Sequence, residues 1–227
     1  MDALTSPNPP INGTDALTPD DARHEEILVV ATDLFAEFGY SDAVTKDLAD
    51  RLQIGKGTIY RYFPSKRELF LAAADRVMRH LRVHIDSAVE GIIDPIARIE
   101  AGTRSFLCFF DTHPKFVELL ILERALFKDR TTPTYFTHRE RNRHRWNEFY
   151  RSLIGRDVIR DMPVERITTV FTDLAYGTIF TNYFSGRNRS VEDQAGDILD
   201  VIFRGILSDS ERARRFPNGS RRTSPDL

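Results

Sequence analysis

Six basic residues, Lys46, Arg51, Lys56, Arg61, Lys66 and Arg67, fall within a short stretch that contains only two acids, Asp47 and Asp50. That is a positive patch on a chain whose formal net charge is −2. A patch of this density attracts phosphate backbones. Tyr60 and Tyr62, interleaved with the bases, add hydroxyls for phosphate oxygens and ring faces for sugars. Charge alone favours a solvated face on an ordinary three-helix cap. A second group lies far downstream, where Arg139, Asn142 and Arg143 share helical spacing with Tyr135, Trp146 and Tyr150. Such a face orients a polar or anionic group of a mostly apolar molecule, or it projects its arginines into solvent from the first half of a helix. Phe106 and Phe110 stand among several phenylalanines of the middle helices, placed either to fill a core or to line a pocket. His80 and His84, four apart, have the spacing of a metal pair. No third ligand is near in sequence, and Arg76, Arg79 and Arg82 flank them. No metal and no cofactor are expected.

Catalytic signatures are missing. The chain has no G-x-S-x-G, no phosphate-binding P-loop, no H-E-x-x-H and no paired C-x-x-C. Gly55-Lys56-Gly57 suggests a dinucleotide loop only until residue 60 proves to be tyrosine, with no strand before it. An enzyme is not expected. The 227 residues contain 41% hydrophobic side chains, the share of a folded globular protein, and the pI is near 6.3. The first twenty residues carry three aspartates, no Lys or Arg and no apolar run, so no targeting segment is expected there. No stretch approaches the ~18 apolar residues of a membrane span. The one cysteine, Cys108, sits in an apolar string and is expected to be buried. A cytoplasmic setting is the expectation from these features.

The elements that must position these residues read as helices throughout. Thr18-Pro19-Asp20-Asp21 opens the first, with apolar positions from Ile27 to Phe38 at three–four spacing, and Gly39 closes it. Short helices follow near 45–52 and 56–63, stopped by Pro64. Ser65-x-x-Glu68 is a capping box that starts a long helix ending at Gly91. Asp94-Pro95, His113-Pro114, Thr132-Pro133 and Asp161-Met162-Pro163 are expected to start the next four by a cap followed by proline, and Ser190 starts the last. The fold class is all-α, with about nine helices. The domains are set at 1–17, a disordered arm; 18–64, a helix-turn-helix; 65–208, a helical ligand-binding and dimerisation domain; and 209–227, a disordered basic tail. The helices at about 163–184 and 191–207 are expected to pair with their copies in a homodimer. The first is apolar on more than one face, and Gly177, Gly196 and Gly205 interrupt the pair where close helix approach would compensate them.

The motif string decides among these readings. Phe35-x-x-x-Gly39-Tyr40, Leu48-Ala49-x-x-Leu52 and Gly55-Lys56-Gly57-Thr58-Ile59-Tyr60-Arg61-Tyr62-Phe63-Pro64-Ser65-Lys66-x-Glu68-Leu69-Phe70 closely resemble the DNA-binding domain of TetR-family transcriptional regulators over about residues 22–75. Beyond that the likeness is one of layout. The resemblance implies that Thr45 and Lys46 reach double-stranded DNA from the start of the second helix. Lys56, Gly57 and Thr58 would meet it at the tip of the recognition helix, Tyr60 and Tyr62 would touch phosphate or base, and Lys66 would hold a phosphate. It implies a homodimer that reads an inverted repeat, usually as a repressor, and answers to a small-molecule effector. Phe106, Phe110, Arg139, Asn142, Arg143 and Trp146 are the candidate effector contacts. Three positions depart from the family's habit. Gln53 stands where a small turn residue is usual, Gly55 where a hydroxyl cap is common, and Val44 where Ser or Thr caps the second helix, a role Thr45 would take over. The competing class is a helical docking module that binds no DNA, and the basic stretch speaks against it.

Overall fold

The computed structural model describes residues 18–41, 43–186 and 189–215. Ten helices account for nearly all of them, with one isolated antiparallel bridge between Ile159 and Leu207. The chain divides into two compact units at Ala73/Ala74.

The N-terminal unit holds α1 (Pro19–Phe38), α2 (Ala43–Leu52), α3 (Lys56–Tyr62) and the opening turns of α4 (Lys66–Val89). Thr18 caps α1 reciprocally: its hydroxyl accepts the Asp21 N–H at 3.1 Å, and the Asp21 carboxylate accepts the Thr18 N–H at 3.2 Å. Gly39, at φ 65°, ends α1 and returns its N–H to the Phe35 carbonyl at 2.9 Å. The core is Ile27, Leu28, Leu34, Phe35, Leu48, Ile59, Leu69 and Phe70, all fully buried. Phe35 and Tyr40 each meet the Phe70 ring edge to face, at 5.1 and 5.4 Å. Burial of each phenylalanine contributes about 1.5–3 kcal/mol. These contacts draw the first turns of α4 into the N-terminal unit.

The second unit contains the rest of α4 with α5 (Pro95–Thr112), α6 (Lys115–Leu126), α7 (Thr134–Gly155), α8 (Val164–Ser185), α9 (Val191–Ile206) and α10 (Asp209–Arg215). Asp94 caps α5 with Pro95 in its first turn, as expected, and Ser190 caps α9. At the other three prolines the expected order is shifted. Pro114, Pro133 and Pro163 themselves occupy the cap position, and their helices begin one residue later. A proline there supplies a suitable φ but no side-chain acceptor, so each helix must satisfy its first N–H groups elsewhere.

Two further expectations are corrected. Cys108 is exposed: Phe106, Leu107, Phe109 and Phe110 take the inward positions of α5 and turn residue 108 to the other face. Residues 209–215 are α10 rather than loose tail. Its Glu211 is buried and accepts from Arg214 at 2.8 Å and from Arg215, which also donates to Asp94 at 2.9 Å. These arginines hold the Glu211 carboxyl down at about 2. The rest of the expected tail, 216–227, and the N-terminal arm, 1–17, lie outside the described residues.

Candidate nucleic-acid interface and cavity

In the N-terminal unit α2 and α3 are joined by a tight turn built on Gln53, whose φ of 52° lies in the left-handed region, and Ile54 returns its N–H to the Ala49 carbonyl at 3.0 Å. The left-handed conformation explains why a small residue suits this position and why glutamine is strained there. Gly55 caps α3 with extended backbone and no side-chain bond. Lys46, Lys56, Gly57, Tyr60 and Arg61 are exposed, while Ile59 alone of α3 is buried. A Cβ added at Gly57 would meet nothing within 4 Å. Among the described residues nothing requires glycine here.

Three expected contacts look different in the structure. Thr45 is only 4% exposed. It does not begin α2 either, because the helix already starts at Ala43, so this is a correction to both of its expected roles. The Tyr62 hydroxyl donates to the Asp20 carboxylate at 2.6 Å and accepts from Arg61 at 2.9 Å. Lys66 is half-buried: its ammonium donates to the Tyr40 carbonyl at 3.3 Å and stands 4.3 Å above the Tyr40 ring. Thr58 is half-buried beside the exposed tip.

In the second unit a cavity of about 210 Å³ opens between α4, α5, α7 and α8. Phe106, Arg139, Asn142, Arg143 and Trp146 line it. Phe110 does not; one turn further along α5, it lines a separate cavity with Leu107, Ile179 and Asn182. The apolar wall comes from Met78, Leu81, Ile85, Phe106, Tyr150 and Tyr176. Burial raises the phenol pKa values of Tyr150 and Tyr176, so both stay neutral. Arg139 is the most enclosed guanidinium of the wall, 19% exposed, and donates to Asp173 at 2.9 Å. Arg143 is exposed and pairs with Glu140 on its own helix at 3.1 Å. Asn142 donates to the His138 carbonyl at 3.0 Å. Two bridges tie α7 to α4 beside the cavity, His138 to Asp75 at 2.7 Å and Arg145 to Asp86 at 2.9 Å. Among the described residues no group of three potential ligands is placed to hold a metal ion, and no helix is long and apolar enough to cross a membrane.

Residues 27–73 match the family model described as bacterial regulatory proteins, tetR family. That segment is a TetR-family DNA-binding domain by sequence. It is 31% identical over 93 residues to the HTH-type transcriptional activator FasR of Mycolicibacterium smegmatis, covering 41% of this chain and 42% of FasR. The chain thus matches less than half the length of that curated relative. Among solved structures, a putative transcriptional regulator from Saccharomonospora viridis in complex with choline superposes with a TM-score of 0.66 at 20% identity, over 82% of this chain and 98% of the other. The ketosteroid transcriptional regulator KstR2 of Mycobacterium tuberculosis superposes with a TM-score of 0.60 at 20% identity, over 82% and 96%. Those likenesses show a shared all-helical fold over about four fifths of the chain.

Sequence reasoning overlooked the buried polar residues of the second unit. His138 is on the inward face of α7, where the apolar stripe had pointed to Arg139. Asn147 is buried and accepts from the Thr168 hydroxyl at 3.1 Å. Glu123, 1% exposed, binds Thr134 and Arg130. A stripe search restricted to apolar residues passes over all three. Counting Thr134 and His138 as one face, four apart, would have found the true inward line of α7.

Proposed function

We propose that the protein is a ligand-responsive transcriptional regulator that binds an inverted-repeat operator as a homodimer, with repression as its expected direction. The observation that carries this reading is the bare tip of α3. Lys56 and Gly57 are both exposed, no neighbouring atom would obstruct a side chain at residue 57, and Lys46, Tyr60 and Arg61 are also exposed in the same unit. A basic helix tip without a side chain lets backbone and duplex approach, and the surrounding charges hold phosphates. Lys46, Lys56, Gly57, Thr58 and Tyr60 are the DNA contacts in this proposal. Lys66 adds its charge from a fixed place on Tyr40. Tyr62 reaches DNA only by giving up Asp20.

One helix-turn-helix reads few base pairs, so a second copy is needed. The second unit offers it a surface: Val170, Leu174 and Phe184 on α8 and Val201 on α9 are exposed. The effector is assigned to the cavity, with Phe106, Arg139, Asn142 and Trp146 on its wall and Arg143 at its edge. Because α4 runs from the N-terminal unit into that wall, a ligand that alters the Asp75 or Asp86 bridges acts on the helix leading to the DNA domain. Linkage then requires operator DNA and effector to change each other's affinity by the same factor.

Selection of duplexes from a random pool, with affinities re-measured at two salt concentrations, tests the reading. The expected result is an inverted repeat with half-sites about 34–36 Å apart, or one helical turn, whose log affinity falls by roughly 0.9 per neutralised phosphate for each tenfold rise in salt. Failure to enrich any sequence, before and after unfolding and refolding to remove a co-purified ligand, would favour the docking module.

A further inference from the structure

The charge on the cavity wall is not balanced. Four guanidiniums line it, Arg82, Arg139, Arg143 and Arg145, with two carboxylates, Asp86 and Glu140. Arg143 is matched by Glu140, and Arg139 by Asp173 outside the wall. His138, also on the wall, has Asp75, and the buried phenols of Tyr150 and Tyr176 stay neutral. Arg82 and Arg145 share a single partner. One oxygen of Asp86 lies 3.4 Å from Arg82 and the other 2.9 Å from Arg145. Two cations on one carboxylate leave one positive charge over, and each guanidinium has five N–H donors in a planar fork. Ile85 and Trp146, next in sequence to Asp86 and Arg145, carry the wall on as apolar surface.

Size narrows the ligand further. A cavity of about 150 Å³ takes a benzene ring, so one of about 210 Å³ takes a ring, or a chain of similar bulk, with a short polar extension. The apolar wall fits that body, and the surplus guanidinium fits an anionic headgroup. A quaternary ammonium would face a wall of net positive charge.

We propose that the cavity binds a small amphipathic carboxylate, one aromatic ring or short aliphatic chain bearing a single carboxyl group, with the carboxylate held by Arg82 and Arg145 beside Asp86. This rests on reading the cavity as the effector site. The headgroup competes with Asp86 for the two guanidiniums, so binding loosens the Asp86–Arg145 bridge between α4 and α7.

Trp146, the chain's one tryptophan, lines the cavity and reports its occupancy by fluorescence. The full chain is titrated with benzoate, 3-phenylpropanoate and hexanoate, with their primary amides, and with benzylamine and choline. The acids are expected to bind at least about tenfold tighter than the amides, and the cations not at all. The Arg82→Gln/Arg145→Gln double variant is expected to lower acid affinity to the amide level while leaving amide affinity unchanged, which also shows that it is folded. Arg141→Gln, on α7 but away from the wall, controls for loss of a charge and keeps the preference. Equal affinity for acids and amides, or an acid preference that survives in the double variant, overturns the carboxylate assignment and leaves the cavity as an effector site. If no probe of any charge alters Trp146 emission or the melting temperature, the effector-site reading falls with it.

Discussion

The backbone N–H of Thr134 donates to the Glu123 carboxylate at 2.8 Å, so the first turn of α7 is capped by a side chain from α6. The Thr134 hydroxyl donates to the same oxygen at 3.0 Å, and Arg130 stands 3.3 Å from it as an ion pair. Pro133 occupies the cap position of α7 and has no side-chain acceptor to offer, so the buried acid takes that role. Glu123→Ala removes the cap and leaves a buried N–H and a guanidinium without their partner. The expected cost is about 2–4 kcal/mol, or a fall of roughly 5–15 °C in melting temperature. Glu123→Gln keeps an acceptor oxygen and is expected to cost about 1 kcal/mol. Thermal melts followed by circular dichroism check both. Two variants that melt together with the wild type would show that the cap contributes nothing.

The contrast between Glu123 and the N-terminal unit shows what could be read from the sequence. Thr18 with Asp21, Ser65 with Glu68, and Gly39 are local signals, each acting over three or four residues, and the structure uses each of them. The helix-turn-helix was legible because its turn, caps and apolar spacing lie within one short stretch. The second unit depends on pairs distant in sequence, His138 with Asp75 and Asn147 with Thr168, and no local pattern announces such partners. Phe106 and Phe110 share a helix face, yet they line different cavities because four residues separate them by about 6 Å along the axis. Periodicity gives a residue's face and says nothing of its depth along a groove.

Gly57 separates folding from binding. A methyl group there meets no atom of the described residues within 4 Å, and glycine inside a helix is less stable than alanine by about 0.5–1 kcal/mol. Gly57→Ala is therefore expected to melt at or slightly above the wild-type temperature. Its affinity for the selected operator is expected to fall by about tenfold, close to 1.4 kcal/mol. Calorimetry and a DNA-binding titration on the same sample measure both quantities. Unchanged operator affinity would move the point of close approach away from the tip of α3.

Gln53 presents the opposite case, a residue kept at a conformational cost. At φ 52° a side chain strains the backbone by about 1–2 kcal/mol, which glycine avoids, while glycine gives back part of that through the freedom of its unfolded chain. Gln53→Gly is expected to gain about 0.5–1 kcal/mol net, a rise of roughly 1–4 °C. Denaturant titration gives the number. A loss of stability would show that the glutamine side chain makes a contact that outweighs the strain.

The helices α8 and α9 carry the prediction about assembly. Phe184 and Val201 are each 70% exposed and Val170 is 50% exposed, an amount of apolar surface that a lone chain has little reason to present. A Cβ added at Gly177, Gly196 or Gly205 meets nothing within 4 Å, so close packing inside the chain does not account for these glycines. In a monomer, Gly177→Ala should then gain close to 1 kcal/mol from helix propensity. In a dimer whose partner helix lies against that backbone, the same methyl group must push the helices apart, and the variant should lose both stability and affinity between copies. Sedimentation equilibrium and melting temperature, measured together, distinguish these cases. We expect the wild type to sediment as a dimer, Gly177→Ala to dissociate at higher protein concentration than the wild type, and Val201→Asp to sediment as a monomer or to unfold on dilution. A monomeric wild type that Gly177→Ala stabilises would remove α8 and α9 as the dimer interface.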